Sequence, residues 1–237
     1  MTNLNNEYSF SSKEQLFPGV WVYRDAIKKE IDVINRLNEI GKSAIEDKDS
    51  RYEWTFGYVG YSEKIPSYRD CEDIKIGEIK NPRSKTETLV SSLWSDLKET
   101  QSGPVVDYCN MHNVKMNYWE VMNCIRYGEG QHFQEHADHG FSYSATVSLV
   151  GYINDDYEGG NLYFPKINLD IKPKAGDLYI FPSTYLFSHR AMPVKSGMKF
   201  SIVTMLDYND HAHRQEFIEM RSKWVEQDLQ SGKNQNA

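Results

Sequence analysis

The chain has 237 residues, 39% of them hydrophobic, which suits one large domain, and its formal net charge is −7. This acidic balance argues against nucleic acid as a partner, because binding to nucleic acid rewards a basic surface. No apolar run reaches the roughly eighteen residues of a transmembrane helix, and no signal peptide is recognisable, so no membrane association is predicted. Three widely spaced cysteines, Cys71, Cys109 and Cys124, favour a reducing, cytoplasmic compartment.

Apolar residues recur at helical spacing in several parts of the chain, mostly in its N-terminal half. We predict helices at residues 24–47 and 84–99, a short helix at 105–112, and a last helix at 214–229. The predicted apolar stripe of the last helix consists of Phe217, Met220, Trp224 and Leu229.

The intervening segments of the N-terminal half have a different character. Residues 16–23 predict a first strand, and the aromatic residues 52–61 predict another. The polar residues 62–83 predict a loop that could reach over a site.

From residue 118 onward the chain consists of short apolar runs separated by turn sequences such as DDYEGG and KPKAGD. Closely spaced short strands of this kind predict a barrel or a sandwich. The predicted strands cover residues 119–127, 144–153, 177–182 and 199–208.

Three residues form a candidate metal site. His136 and Asp138 stand two positions apart, and residues i and i+2 of an extended segment point to the same side. With His189 they make two histidines and one carboxylate, a set that holds Fe(II) and leaves coordination positions open. The other five histidines are expected in supporting or solvated positions; they are His112, His132, His139, His211 and His213.

Lys199 follows His189 by ten residues and begins a predicted strand. The alternation of a strand places Lys199, Ser201, Val203 and Met205 on one face. An inward lysine at the start of a barrel strand requires an anion, because a buried charge must be compensated.

The order of these motifs resembles a known family. Tyr127-xx-Gly130-xx-Phe133-xx-His136-x-Asp138 is followed by Thr146, EGGNLYF, KPKAGDLYIFP, His189 and Gly197-x-Lys199. This pattern resembles the catalytic domain of the Fe(II)/2-oxoglutarate-dependent oxygenases of the prolyl 4-hydroxylase type. The resemblance implies a mainly β fold with packed helices (α+β), built on a double-stranded β-helix, or jelly-roll, core.

The family resemblance also implies an activity and a set of site residues. His136, Asp138 and His189 would bind Fe(II), and 2-oxoglutarate would bind to Lys199 with help from Tyr127 and Thr146. With O2, and with ascorbate as reductant, the enzyme would hydroxylate a C–H bond of a peptidyl proline and release succinate and CO2. We expect one domain over residues 1–237, with helical support to about residue 117, the catalytic core at 118–208 and a C-terminal helix.

The sequence departs from the prolyl hydroxylase pattern near the substrate. Tyr143 stands where some relatives have Arg, Phe200 follows the lysine where Trp is common, and Met205 stands at another usual Trp position. These departures leave alternatives open for the substrate of an oxygenase of the same fold: a free amino acid, another side chain or a nucleobase. A non-catalytic jelly-roll binding module is the alternative from another class, and peptide or protein substrates remain the expected partners.

Overall fold

The protein is described by a computed structural model that covers residues 10–59, 64–140 and 143–230. It is mainly β with packed helices, as predicted. The strands of the described residues are β1 (Ser12–Phe17), β2 (Val20–Arg24), β3 (Thr55–Phe56), β4 (Arg69–Asp70), β5 (Glu72–Ile76), β6 (Tyr118–Trp119), β7 (Met122–Tyr127), β8 (His132–His136), β9 (Val147–Tyr152), β10 (Glu158–Gly159), β11 (Leu162–Phe164), β12 (Leu169–Ile171), β13 (Leu178–Pro182), β14 (His189–Ala191), β15 (Val194–Ser196) and β16 (Lys199–Asp207).

The strands form two principal antiparallel sheets. The large sheet has the order β1-β2-β13-β9-β16-β7-β5-β3, with β6 paired to β16. The second sheet has the order β12-β11-β14-β8-β4, and β10 pairs with β15 separately. Neighbouring residues of β9 belong to two hydrophobic cores. Leu149 packs with the helices, while Val150 packs with the second sheet. The large sheet is therefore covered on both faces.

The helices are α1 (Val33–Asp47), α2 (Lys85–His112) and α3 (Gln215–Gln230). The prediction that the first helix begins at residue 24 is wrong. Asp25 and Asp32 both adopt left-handed backbone angles with φ of 53°, which a helix cannot accommodate. A single 3-10 turn at Lys29–Ile31 precedes α1 instead.

The two helices predicted at residues 84–99 and 105–112 are one continuous helix, α2. It begins at the predicted position, where the Ser84 hydroxyl accepts a hydrogen bond from the Glu87 N–H at 3.1 Å. Pro104 lies inside α2 and removes one backbone donor. The helix continues past it because Leu97 and Val105, on either side, are both buried in the same core.

The first predicted strand, residues 16–23, is a hairpin of two strands, β1 and β2. The chain reverses at Pro18 and Gly19, and Gly19 has a φ of +88°, which a residue with a side chain rarely adopts. The hairpin joins the large sheet, because Leu178, Tyr179 and Ile180 of β13 pair with β2.

The segment between α1 and α2 differs most from the prediction. Only Thr55–Phe56 of the predicted strand 52–61 is a strand, and residues 60–63 lie outside the described part. The predicted loop contains β4 and β5. β5 belongs to the large sheet because Ile74 and Ile76 alternate into the core while the strand pairs with β7.

The apolar stripe of α3 is not packed against the body. Phe217, Met220 and Trp224 are 40%, 37% and 54% exposed, whereas the helical period had predicted a packed face. The side chain of Leu229 lies outside the described part. Among the described residues, no helix has both the length and the apolar character needed to cross a bilayer.

Candidate metal and cosubstrate site

The three predicted metal ligands meet between the two sheets. β8 ends at His136, β14 begins at His189, and these two residues are direct partners in the strand pairing. Asp138 follows two residues after His136. His136 Nε2 lies 3.6 Å from Asp138 Oδ1, and His189 Nε2 lies 3.9 Å from Asp138 Oδ2. Each residue therefore offers one donor atom to a common point, and these atoms lie within 4.8 Å of one another.

Backbone carbonyls fix the orientation of both imidazoles. His136 Nδ1 lies 2.8 Å from the Gln134 carbonyl oxygen, and His189 Nδ1 lies 3.2 Å from that of Phe187. A carbonyl can only accept, so each Nδ1 carries the proton and each Nε2 keeps its lone pair for a metal.

The electrostatics of the triad also suit a cation. Burial, together with the neighbouring His189, lowers the pKa of His136 to about 4, so its imidazole is neutral at physiological pH. Two imidazoles and one carboxylate are a donor set that suits Fe(II). The residues present therefore fit the metal that the sequence pattern predicts.

The triad lies in a cavity of about 480 Å³ between the sheets. The inward face predicted for β16 borders this cavity, since Lys199, Ser201, Val203 and Met205 all line it. The cavity thus runs along β16, from Lys199 at one end to Met205 at the other.

Lys199 is buried, with 1% of its surface exposed. Its ammonium donates a hydrogen bond to the Gly160 carbonyl at 3.0 Å and lies 4.3 Å from the centre of the Tyr127 ring. Burial lowers the pKa of Lys199 to about 7. Within the described residues no carboxylate is paired with the ammonium. An anion that enters the cavity would therefore balance its positive charge.

Gly160, in the EGG motif, makes room for this lysine. Its φ is +64°, and an added Cβ would lie 2.9 Å from Tyr157 Cε2 and 3.1 Å from Lys199 Cδ. A side chain at this position would clash with the aliphatic part of Lys199, so glycine is required here for a steric reason.

The two other predicted cosubstrate residues lie in different places. Tyr127 is buried, lines the cavity and is the strand partner of Lys199. Thr146 is not among the lining residues, and its hydroxyl donates to Asp207 Oδ1 at 2.8 Å. The structure therefore does not support direct contact of Thr146 with a cosubstrate, because its hydroxyl is already engaged.

Sequence reasoning missed Arg69 and Glu120, which both line the cavity. Arg69 is buried, donates to the Tyr58 carbonyl at 2.6 Å and to Asp73 Oδ2 at 2.7 Å. Neither residue lies in a recognisable motif. Arg69 reaches the cavity through the pairing of β4 with β8, and Glu120 through its backbone hydrogen bond to Met205 of β16.

His213 is not solvated, contrary to the prediction. Its Nε2 lies 3.0 Å from Asp207 Oδ2, and its ring stacks on Tyr118 with 3.8 Å between ring centres. Hydrogen bonds from several partners lower the pKa of Asp207 to about 2, despite its burial. His132 and His139 contact backbone carbonyls rather than the triad, in agreement with supporting positions.

Comparisons with known proteins agree with this architecture. Residues 122–206 match the family model of the 2OG-Fe(II) oxygenase superfamily. A curated relative from Acanthamoeba polyphaga mimivirus, named "Putative prolyl 4-hydroxylase", is 27% identical over 129 residues. That match covers 46% of this chain and 53% of the relative, so the chain spans about half the length of the relative.

Solved structures share the fold at low sequence identity. A prolyl hydroxylase from Trichoplax adhaerens, in complex with a hypoxia inducible factor peptide fragment, has a TM-score of 0.62 at 15% identity and covers 79% of this chain and 83% of its own. A Pseudomonas putida prolyl-4-hydroxylase has a TM-score of 0.55 at 16% identity, with 79% and 92% covered. A viral collagen prolyl hydroxylase from Paramecium Bursaria Chlorella virus-1 has a TM-score of 0.53 at 19% identity, with 79% and 95% covered.

The fold and the matched region define the class of protein. The double-stranded β-helix prediction is confirmed by these structural neighbours. The resemblance to the Fe(II)/2-oxoglutarate-dependent oxygenase superfamily, of the prolyl 4-hydroxylase type, is also confirmed. Residues 122–206 match the 2OG-Fe(II) oxygenase superfamily, and that superfamily implies Fe(II), 2-oxoglutarate and O2.

Proposed function

We propose that the chain is a hydroxylase that uses Fe(II), 2-oxoglutarate and O2 to hydroxylate a peptidyl proline, with release of succinate and CO2 and with ascorbate as the reductant. One observation carries this proposal: a two-histidine, one-carboxylate triad lines the same cavity as a buried lysine that has no ion-pair partner in the described part of the chain. The triad provides a place for the metal, and Lys199 provides a place for a dicarboxylate.

His136, Asp138 and His189 would hold the iron, which together with O2 and the keto acid supplies the oxidising chemistry for an unactivated C–H bond. The residues of the chain hold this centre in place. The backbone carbonyls of Gln134 and Phe187 keep the lone pairs of both imidazoles directed at the metal. Burial of the site keeps water from the reacting atoms.

Lys199 would bind the distal carboxylate of 2-oxoglutarate, with the Tyr127 ring packed beside the ammonium. A charge-assisted contact in a dry pocket fixes both the position and the orientation of the acid. Thr146 would act only indirectly, through its hydrogen bond to Asp207.

The substrate would enter from the side of the segment between α1 and α2. Tyr58 and Tyr68 of this segment line the cavity, as does Tyr143, and their rings offer surfaces on which a proline ring can pack. We also propose that the chain forms one domain, since β2 and β5 pair with strands from its second half.

A free amino acid is the second candidate substrate, because Lys75 and Glu120 line the same part of the cavity and could hold its two charges. The test is incubation with Fe(II), 2-oxoglutarate and ascorbate, followed by measurement of succinate and by mass spectrometry. We expect proline-rich peptides to stimulate succinate formation and to gain one oxygen atom, and His136→Ala to abolish both. Hydroxylation of free amino acids, but not of peptides, would contradict the proline assignment alone.

A further inference from the structure

The end of the cavity near Met205 has an unusual set of polar groups. Lys75 and Asn123 are direct partners in the pairing of β5 with β7, so their side chains share a face of the sheet. The Glu120 N–H donates to the Met205 carbonyl at 3.0 Å, which fixes the glutamate at the same end. Tyr143 completes this group, and all five residues line the cavity. We call Glu120, Asn123 and Tyr143 the acceptor wall.

The acceptor wall contains one buried hydrogen-bond acceptor that the described residues do not satisfy. Asn123 Oδ1 is buried and has no hydrogen-bond partner within the described residues. Glu120 is half-buried, lies against the Tyr143 phenol, and forms no ion pair within the described part of the chain. A buried acceptor without a donor is costly, so this wall would be stabilised by a ligand that brings donors.

The charges around Glu120 also favour a ligand that brings hydrogen-bond donors. Burial raises the pKa of this carboxyl and the charge of Asp138 raises it further, whereas Tyr143 and Lys75 lower it. Lys75 is solvent-exposed, so water screens its attraction for Glu120. Arg69, another cation of the cavity, is already bonded to Asp73 and to the Tyr58 carbonyl, and Lys199 lies at the opposite end of the cavity. Among the described residues, Glu120 therefore has no ion-pair partner.

We propose that the acceptor wall selects substrates that carry a cationic group, namely peptides with a lysine or an arginine next to the hydroxylated proline. An ammonium or a guanidinium brings several N–H donors together with a positive charge, which matches both Glu120 and Asn123 Oδ1. This proposal rests on the proposed function for the reacting residue and adds the class of peptide.

Two features of the chain support a cationic substrate. The formal net charge of −7 would attract basic peptides and repel acidic ones over long distances. Position 143 is a tyrosine, so no guanidinium from that position competes for Glu120.

The test uses three peptides that are identical except for the residue next to proline, which is Lys, Gln or Glu. Turnover is measured with Fe(II), 2-oxoglutarate and O2, and binding is measured by fluorescence anisotropy with Mn(II) and without O2. We expect the Lys peptide to exceed the Glu peptide by about tenfold or more in both kcat/KM and affinity. In Glu120→Gln this ratio should fall to near unity, because the substitution keeps the shape and removes the charge.

Glu72→Gln is the matched control. Glu72 also lies on a strand of the large sheet, but its carboxylate bonds to Arg126 at 2.7 Å and does not line the cavity. We expect it to keep the full preference for the Lys peptide. Retained Mn(II) binding and an unchanged circular dichroism spectrum would establish that Glu120→Gln is folded, and an unfolded Glu120→Gln would be replaced by Glu120→Asp, for which a weakened preference is expected.

The outcomes separate this inference from the proposed function. Equal affinities of the wild type for all three peptides, or an unchanged preference in folded Glu120→Gln, would overturn the proposal that the acceptor wall selects cationic peptides. If the Lys peptide binds preferentially but is not hydroxylated, the proposed selectivity of the acceptor wall is supported and only the proposed reaction is contradicted. Absence of peptide binding would overturn both.

Discussion

Asp138 depends on a serine for its orientation. Ser148 Oγ donates to Asp138 Oδ2 at 2.5 Å, and the Ser183 hydroxyl lies 2.7 Å from Ser148 Oγ. Both serines are buried, so the carboxylate can neither rotate freely nor recruit water in their place. Partners of this kind hold a carboxylate in the position that a metal requires.

We predict that Ser148→Ala weakens metal binding by about 10–100-fold while the fold is retained, because loss of the hydroxyl frees the carboxylate. Isothermal titration with Mn(II) or Co(II) measures the change. Ser144→Ala is the control, since it removes a similar bond, of 2.6 Å, to Asp207 instead. Equal metal affinities of Ser148→Ala and the wild type would show that Ser148 has no such role.

Lys199 gives a second prediction at the same scale. Lys199→Ala should raise the KM for 2-oxoglutarate by an amount equivalent to about 2–5 kcal/mol, with metal binding largely intact, because a buried anion would lose its partner. Steady-state kinetics over a range of 2-oxoglutarate concentrations provide the measurement. Lys195→Ala, at an exposed lysine of β15, should leave the KM unchanged. An unaltered KM in Lys199→Ala would mean that another cation binds the cosubstrate.

Strand β4 connects the segment between α1 and α2 to the metal ligands. Arg69 and Phe133 are paired across β4 and β8, and the guanidinium lies 5.1 Å from the centre of the Phe133 ring. Phe133 in turn stacks on His136, with 3.7 Å between ring centres and 14° between the ring planes. Because Arg69 also donates a hydrogen bond to the Tyr58 carbonyl, its side chain links Tyr58, which lines the cavity, to the candidate metal ligand His136. Arg69 is thus a positioning residue.

We predict that Arg69→Lys lowers the free energy of unfolding by about 1–3 kcal/mol and weakens metal binding. A lysine keeps the charge but cannot bond to Tyr58 and Asp73 while covering the Phe133 ring. Denaturant unfolding and metal titration test this pair of effects. Arg126→Lys is the matched control, because Arg126 stacks on Trp54 and bonds to Glu72 away from the cavity. Metal binding that is equally affected in both variants would argue against a specific link to His136.

The stability of the whole molecule reflects the cost of its buried ammonium. Burial lowers the pKa of Lys199 from 10.5 to about 7, so the folded protein releases this proton at a lower pH than the unfolded chain does. Between these values the unfolded state binds more protons, and the contribution of Lys199 to the free energy of unfolding rises with pH. Below about pH 7 both states are protonated, and the full penalty of burying the charge remains.

We therefore predict that Lys199→Met is more stable than the wild type at pH 7, and that the two converge as the pH approaches 10. Urea unfolding at several pH values, without 2-oxoglutarate, gives this difference directly. Because an anion compensates the ammonium, added 2-oxoglutarate should stabilise the wild type more than the variant at pH 7. A stability difference that does not vary with pH would indicate that Lys199 is not a buried cation in the folded protein.

Local patterns in the sequence determined a large part of this architecture. The i, i+2 spacing placed His136 and Asp138 on one side of the chain, and strand alternation identified the face of β16 that lines the cavity. Ser84 marked the start of α2 by its capping chemistry. Each of these features depends on residues close together in the chain, so it can be read without knowledge of the fold.

Only the tertiary structure decided the rest. The apolar residues of β5 become a strand because β7 is available to pair with them, and Arg69 is buried because β4 lies beside β8. Glu120 reaches the cavity through its contact with Met205, and His213 is enclosed by Tyr118 and Asp207. These contacts join residues whose proximity, in most cases, depends on strand pairing over long sequence separations. The sequence by itself therefore determined the metal and cosubstrate residues to be tested, whereas strand pairing decided what surrounds them, since burial and charge compensation exist only once the sheets have formed.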